Sequence, residues 1–184
     1  GGERSAAPAF AYSTYTEKYD GITWTELNNL NTGRHSNAVT GTTTAALCVA
    51  GTFEPGYDDS VESWDGTNWT ETTDINTTRG FIKGSGTQTA TIVFGGYTGT
   101  ANADVAESWN GSTWTEVGDL NTARYFMASA GTTNTAALCI GGYVAPSPGA
   151  QDVAESWNGS TWTEVGDLTT ARYGIAGTGT TTSA

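Results

Sequence analysis

The sequence predicts an all-β chain built from repeated four-stranded antiparallel units, and three observations carry that prediction. First, the stretch DVAESWNGSTWTEVGDLNTARY at Asp104–Tyr125 returns at Asp152–Tyr173 with one change in 22 positions, Asn121 against Thr169. Weaker copies begin at Ser60 and Thr16, so the second Trp of each unit falls at Trp24, Trp69, Trp114 and Trp162, in steps of 45, 45 and 48 residues. A fixed period in this range marks a repeat architecture. Second, the chain holds 25 Gly among its 184 residues and is rich in Thr and Asn. No useful amphipathic helical stretch interrupts that composition, which favours short strands and tight turns. Third, each unit carries an Asp-Gly or Asn-Gly pair between two β-prone segments, a strong hairpin signal.

The third unit shows the expected elements in order. Arg124–Gly131 reads as a first strand with small, closely packing residues. Ala136–Gly142 is a short apolar second strand ending in Gly-Gly. Asp152–Trp157 alternates Val153, Glu155 and Trp157 with Ala154 and Ser156, the period of a strand. Asn158-Gly159 supplies the turn, and Thr161–Val165 is a fourth strand of β-prone residues. Four short antiparallel strands in about 45 residues make the blade of a β-propeller.

The order of Arg, small apolar strand, Gly-Gly, aromatic before a turn and Trp after it resembles the kelch repeat. The glycine pairs are Gly1-Gly2, Gly95-Gly96 and Gly141-Gly142, with Ala50-Gly51 as a degenerate copy. The aromatics before the turn are Tyr19, Trp64, Trp109 and Trp157, and the repeat arginines are Arg34, Arg79, Arg124 and Arg172. The resemblance implies one kelch-type propeller domain over residues 1–184. Its units lie near 1–33, 34–78, 79–123 and 124–171, with 172–184 completing the first blade by pairing of the N- and C-terminal strands, in one chain or between two. The Thr- and Asn-rich, lysine-poor wording also resembles kelch-like repeats of marine bacteriophage structural proteins. That resemblance implies a virion-associated or otherwise extracellular protein.

Charge and chemistry exclude several classes. The net charge is −12 with only Lys18 and Lys83 as lysines, so the basic stripe a nucleic acid partner needs is missing. No apolar run reaches the roughly 20 residues of a membrane helix, and membrane insertion is not expected. The single histidine, His35, reads as a surface or capping residue, and no cluster has metal-ligand spacing. Cys48 and Cys139 share one repeat position on an apolar strand and read as free packing thiols. The glutamates repeated at Glu17, Glu62, Glu107 and Glu155, and at Glu26, Glu71, Glu116 and Glu164, read as structural partners of Arg or Thr, although paired carboxylates can hydrolyse glycosides. The seven tryptophans read as packing between blades. Neither a cofactor nor a catalytic residue is expected.

The functional expectation is therefore a non-enzymatic structural or adhesive module, or alternatively a soluble carbohydrate- or protein-binding propeller. The segments after the glycine pairs, Thr52–Asp59, Tyr97–Ala103 and Tyr143–Gln151, read as the longest irregular pieces, with Glu3–Ser13 as their counterpart. Loops on a rigid scaffold carry binding. In kelch propellers these loops share a face with the segment before the Arg strand. That resemblance implies a binding rim of Phe53, Tyr57, Tyr97 and Tyr143, with Arg34, Arg79, Arg124 and Arg172 near the channel mouth. The implied partner is a protein or a glycan, with self-association through the terminal strands.

Overall fold

A computed structural model describes residues 2–4, 11–53, 56–147 and 149–183, and the described residues are all-β without a helix. Three four-stranded antiparallel sheets follow one another along the chain. The first holds β5 (Ala38–Gly41), β6 (Ala46–Phe53), β7 (Gly56–Trp64) and β8 (Trp69–Thr72). The second holds β9 (Lys83–Thr87), β10 (Ala90–Phe94), β11 (Ala106–Trp109) and β12 (Trp114–Glu116). The third holds β13 (Ala128–Thr133), β14 (Ala136–Val144), β15 (Gly149–Trp157) and β16 (Trp162–Glu164). Ahead of them, β1 (Gly2–Arg4) pairs with β2 (Ala11–Ser13), and β3 (Glu17–Tyr19) pairs with β4 (Trp24–Glu26). Within every four-stranded sheet the strands pair in chain order, so each sheet is one sequence unit.

The first strands carry the sheets against one another. β9 lies between β5 and β13. Small residues permit the approach: Ser129 Oγ donates to the Gly84 carbonyl at 3.0 Å, and the Thr40 and Thr91 hydroxyls meet at 2.7 Å. Residues 172–183 continue the series beside β13, with Gly131 N–H donating to the Gly179 carbonyl at 3.0 Å. The expected pairing of this segment with 13–27 is not among the strand pairs of the described residues.

Two apolar clusters fill the spaces between sheets. Leu47, Val49, Ile82 and Val93 pack with Trp109 and Trp114, and Ile92, Phe94, Met127 and Cys139 pack with Trp157 and Trp162. Trp109, Trp114, Trp157 and Trp162 thus do the inter-sheet packing read from the repetition of the tryptophans, whereas Trp24 is 67% exposed. Trp64–Trp69, Trp109–Trp114 and Trp157–Trp162 face each other across the third-to-fourth-strand hairpins, with ring centroids 5.2–5.4 Å apart. Both cysteines are free and buried, and burial pushes their thiols up to about 11.

The Asx-Gly turns take positive φ at their glycines alone, Gly21, Gly66, Gly111 and Gly159. The Asx residue acts through its side chain instead: Asn158 Oδ1 accepts from the N–H groups of Ser160 and Thr161, both at 2.9 Å. The glycine pairs, moreover, do not end every second strand. Ala50-Gly51 and Gly141-Gly142 sit at register shifts, after which β6 and β14 run on and pair with β7 and β15. The described residues of Thr52–Asp59 and Tyr143–Gln151 therefore extend the β6–β7 and β14–β15 pairings. Of the pairs within the described residues only Gly95-Gly96 ends its strand, β10, and Gly1 lies outside the described residues. Most of the Glu3–Ser13 counterpart lies outside the described residues.

Candidate functional site

Each sheet has two ends, and the repeated charges separate from the tyrosines and phenylalanines. At the link into each sheet, the sequence Asn-Thr-x-Arg wraps around a glutamate of that sheet's third strand. Glu62 accepts from Asn31 N–H (2.7 Å), Asn31 Nδ2 (2.9 Å), Thr32 N–H (3.2 Å) and Arg34 Nη2 (2.8 Å). Glu107 accepts the same four donors from Asn76, Thr77 and Arg79. Glu155 accepts from Asn121 N–H and Nδ2 and from Arg124 Nη1 at 2.6 Å. All three Arg–Glu pairs are 0% exposed. A carboxylate this well supplied with donors is the arrangement in which a buried ion pair is tolerated.

These clamps correct the expected rim. Arg34, Arg79 and Arg124 are consumed inside the molecule, because a buried guanidinium needs its charge matched locally, and they present nothing to a partner. Arg172 alone is exposed, its Nε donating to the Thr170 carbonyl at 3.1 Å. The third-strand glutamates that could have acted as a carboxylate pair are committed in the same way. Glu17, the copy on β3, is exposed.

The aromatic half of the expectation gathers at the opposite end of the sheets from the Trp hairpins. Isolated bridges join His35 to Thr52, Gly80 to Tyr97 and Tyr125 to Tyr143, so the segment after each repeat Arg lies against the segment after each glycine pair. Tyr57 meets Tyr97 at 5.9 Å, Tyr97 meets Tyr125 at 5.3 Å, and Tyr125 meets Tyr143 at 5.6 Å. Phe53 makes no ring contact among the described residues.

Sequence reasoning missed the members that join this belt. Phe81 touches Tyr57, Tyr125 and Phe126, and Tyr173 closes on Phe126 and Tyr143. At the other end Tyr12 stacks on His35, with centroids 5.1 Å apart. His35 is half-buried there, its ring nitrogens meeting the Thr52 and Ser36 hydroxyls at 2.9 and 2.8 Å. The missed signal was available in the sequence. The two residues after each repeat Arg read His35-Ser36, Gly80-Phe81, Tyr125-Phe126 and Tyr173-Gly174, and four of the eight are aromatic.

Backbone conformation marks the second of these positions. Ser36, Phe81, Phe126 and Gly174 have φ of 55°, 57°, 55° and 65°. A left-handed conformation in a bulky residue is a true outlier and costs about 1–3 kcal/mol. Beside them is a cavity of about 280 Å³ lined by Ser36, Phe81, Lys83, Phe126, Met127, Gly174 and Ile175. Burial lowers the Lys83 ammonium below its ordinary value and raises the Tyr57 and Tyr125 phenols above theirs.

No protein-family model matches the chain, and no curated protein matches it. Among the described residues no group of three or more His, Cys, Asp or Glu is placed to hold a metal ion, and no helix is long and apolar enough to cross a membrane.

Proposed function

We propose that this chain is a non-enzymatic binding module, structural or adhesive in role, whose contact surface is the aromatic belt from Tyr57 to Tyr173. One observation carries the reading. The repeated arginines, glutamates and most of the tryptophans are spent on clamps and packing, whereas tyrosines and phenylalanines from successive units converge as solvent-reachable aromatics at one end. Tyrosine rings give large contact area at small entropic cost, which suits recognition of a protein or glycan. The virion or other extracellular setting rests on the phage-like wording of the repeats alone.

In the same reading the sheets are consecutive blades of a kelch-type propeller, and residues 172–183 complete the first blade in the same chain or in a second copy. The apolar residues left exposed at the two ends of the series, Val39 at 62% and Val165 at 41%, support such closure. Mass by light scattering separates a monomeric ring from a two-chain ring.

The test of the binding role is immobilised protein probed with a glycan array and with extracellular protein mixtures. Tyr97→Ala and Tyr143→Ala should lower capture at least tenfold, while Ser112→Ala at the opposite hairpin end should leave it unchanged. Capture abolished only by the opposite-end change would sink the assignment of the face.

A further inference from the structure

The turn after each repeat arginine does not require an aromatic side chain. Ser36 and Gly174 occupy the same left-handed position as Phe81 and Phe126. Glycine reaches this conformation at no steric cost, so the fold would be relieved by it. The two phenylalanines are kept against local preference, and they occur where their rings meet, 4.5 Å apart at 59°. Strain held against an available alternative is a mark of a functional position.

What these rings line is chemically specific. Lys83 borders the same cavity, and its ammonium makes no hydrogen bond or ion pair among the described residues, although the chain holds 19 acidic residues. Tyr57 and Tyr125 touch these phenylalanines from outside the cavity lining, and Tyr97 and Tyr143 stand one ring further on; all four are half-buried, with hydroxyls that bond to nothing among the described residues. Two apolar rings, one unmatched cation and a row of free phenols call for a ligand with an apolar face, one negative charge and several hydroxyls. A volume of about 280 Å³ admits one ring rather than an extended chain. A net charge of −12 repels polyanions, which favours a sparsely charged ligand.

We propose that the cavity binds an acidic monosaccharide unit, its C–H face on Phe81 and Phe126, its carboxylate on Lys83 and its hydroxyls toward the tyrosines. This proposal rests on the reading of the chain as a binding module and assigns the ligand class.

The experiment is a calorimetric titration of the intact chain with glucuronic acid and N-acetylneuraminic acid. Glucose, N-acetylglucosamine and acetate serve as the neutral and charge-only probes. The acidic sugars should bind at least tenfold more tightly than the other three. Lys83→Met should remove that preference and Lys83→Arg should keep it. Phe126→Gly should abolish sugar binding without lowering the melting temperature, since Gly174 already serves at the equivalent turn. Equal affinity for acidic and neutral sugars, an unchanged preference in Lys83→Met, or absence of sugar binding would each overturn the proposal. Absence of sugar binding together with Tyr97- and Tyr143-dependent capture of a protein would overturn the ligand class and leave the binding module standing.

Discussion

Asp104–Tyr125 and Asp152–Tyr173 differ at one residue, yet they live in different surroundings. The backbone does the same thing in both: Gly96 N–H donates to the Arg124 carbonyl and Gly142 N–H to the Arg172 carbonyl, each at 3.0 Å. The side chains do not. Arg124 is 0% exposed on Glu155, whereas Arg172 stands in solvent. Val117 packs against the second apolar cluster, whereas Val165 is 41% exposed. Local conformation in this protein is written into each unit, but burial is conferred by the unit that follows.

The sharpest way to break that comparison is to unmake a clamp. Glu155→Ala leaves Arg124 buried and uncompensated and should cost about 3–5 kcal/mol in urea unfolding. Arg172→Ala should stay within about 0.5 kcal/mol, as for an exposed residue. An equal cost at both sites would mean that Arg172 has a neighbouring sheet in solution, supplied by closure or by a second copy.

A gentler probe exchanges the one residue that differs. Asn121→Thr removes the amide that donates to Glu155 at 2.8 Å and to the Trp162 carbonyl at 3.2 Å. Loss of about 1–3 kcal/mol is expected. Thr169→Asn should be silent in the same measurement, having no carboxylate to engage. The smallest contrast is between Val117→Ala, near 1 kcal/mol for methyl groups leaving a packed site, and Val165→Ala, below about 0.5 kcal/mol. Thermal melts of the two variants side by side suffice to rank them.

Much of this was legible before any coordinates. The Trp period, the Asx-Gly turns and the apolar runs place the strands of the third unit within a few residues of β13–β16. The structural reading of Glu62, Glu107 and Glu155 follows from their repetition. What escaped has physical causes. A glycine pair reads as a strand breaker, but Gly51 and Gly142 use positive φ to shift register and let the strand resume. The pairing of the repeated glutamates with arginine was foreseen, but the arginines were also placed at the rim, because nothing local announces that the carboxylate 28 or 31 residues downstream takes them fully out of solvent. The belt was only half seen, since Phe81 and Phe126 occupy a turn whose left-handed backbone ordinarily argues against bulky residues.

The clamps also bear on how a chain of this kind can lengthen or shorten. Glu107 and Arg124 sit in the same 22-residue copy but never meet: Glu107 receives Arg79, and Arg124 waits for Glu155. Each copy therefore carries the receiving half of one contact and the donating half of the next. Inserting a full period between two existing ones gives the upstream arginine a new acceptor and the downstream glutamate a new donor, so every internal charge remains matched. Removal of a full period has the same property. Tandem duplication in this register is thus free of the orphaned charge that a cut between Glu107 and its Arg79 would leave, and the near-identity of two successive copies is what that freedom permits.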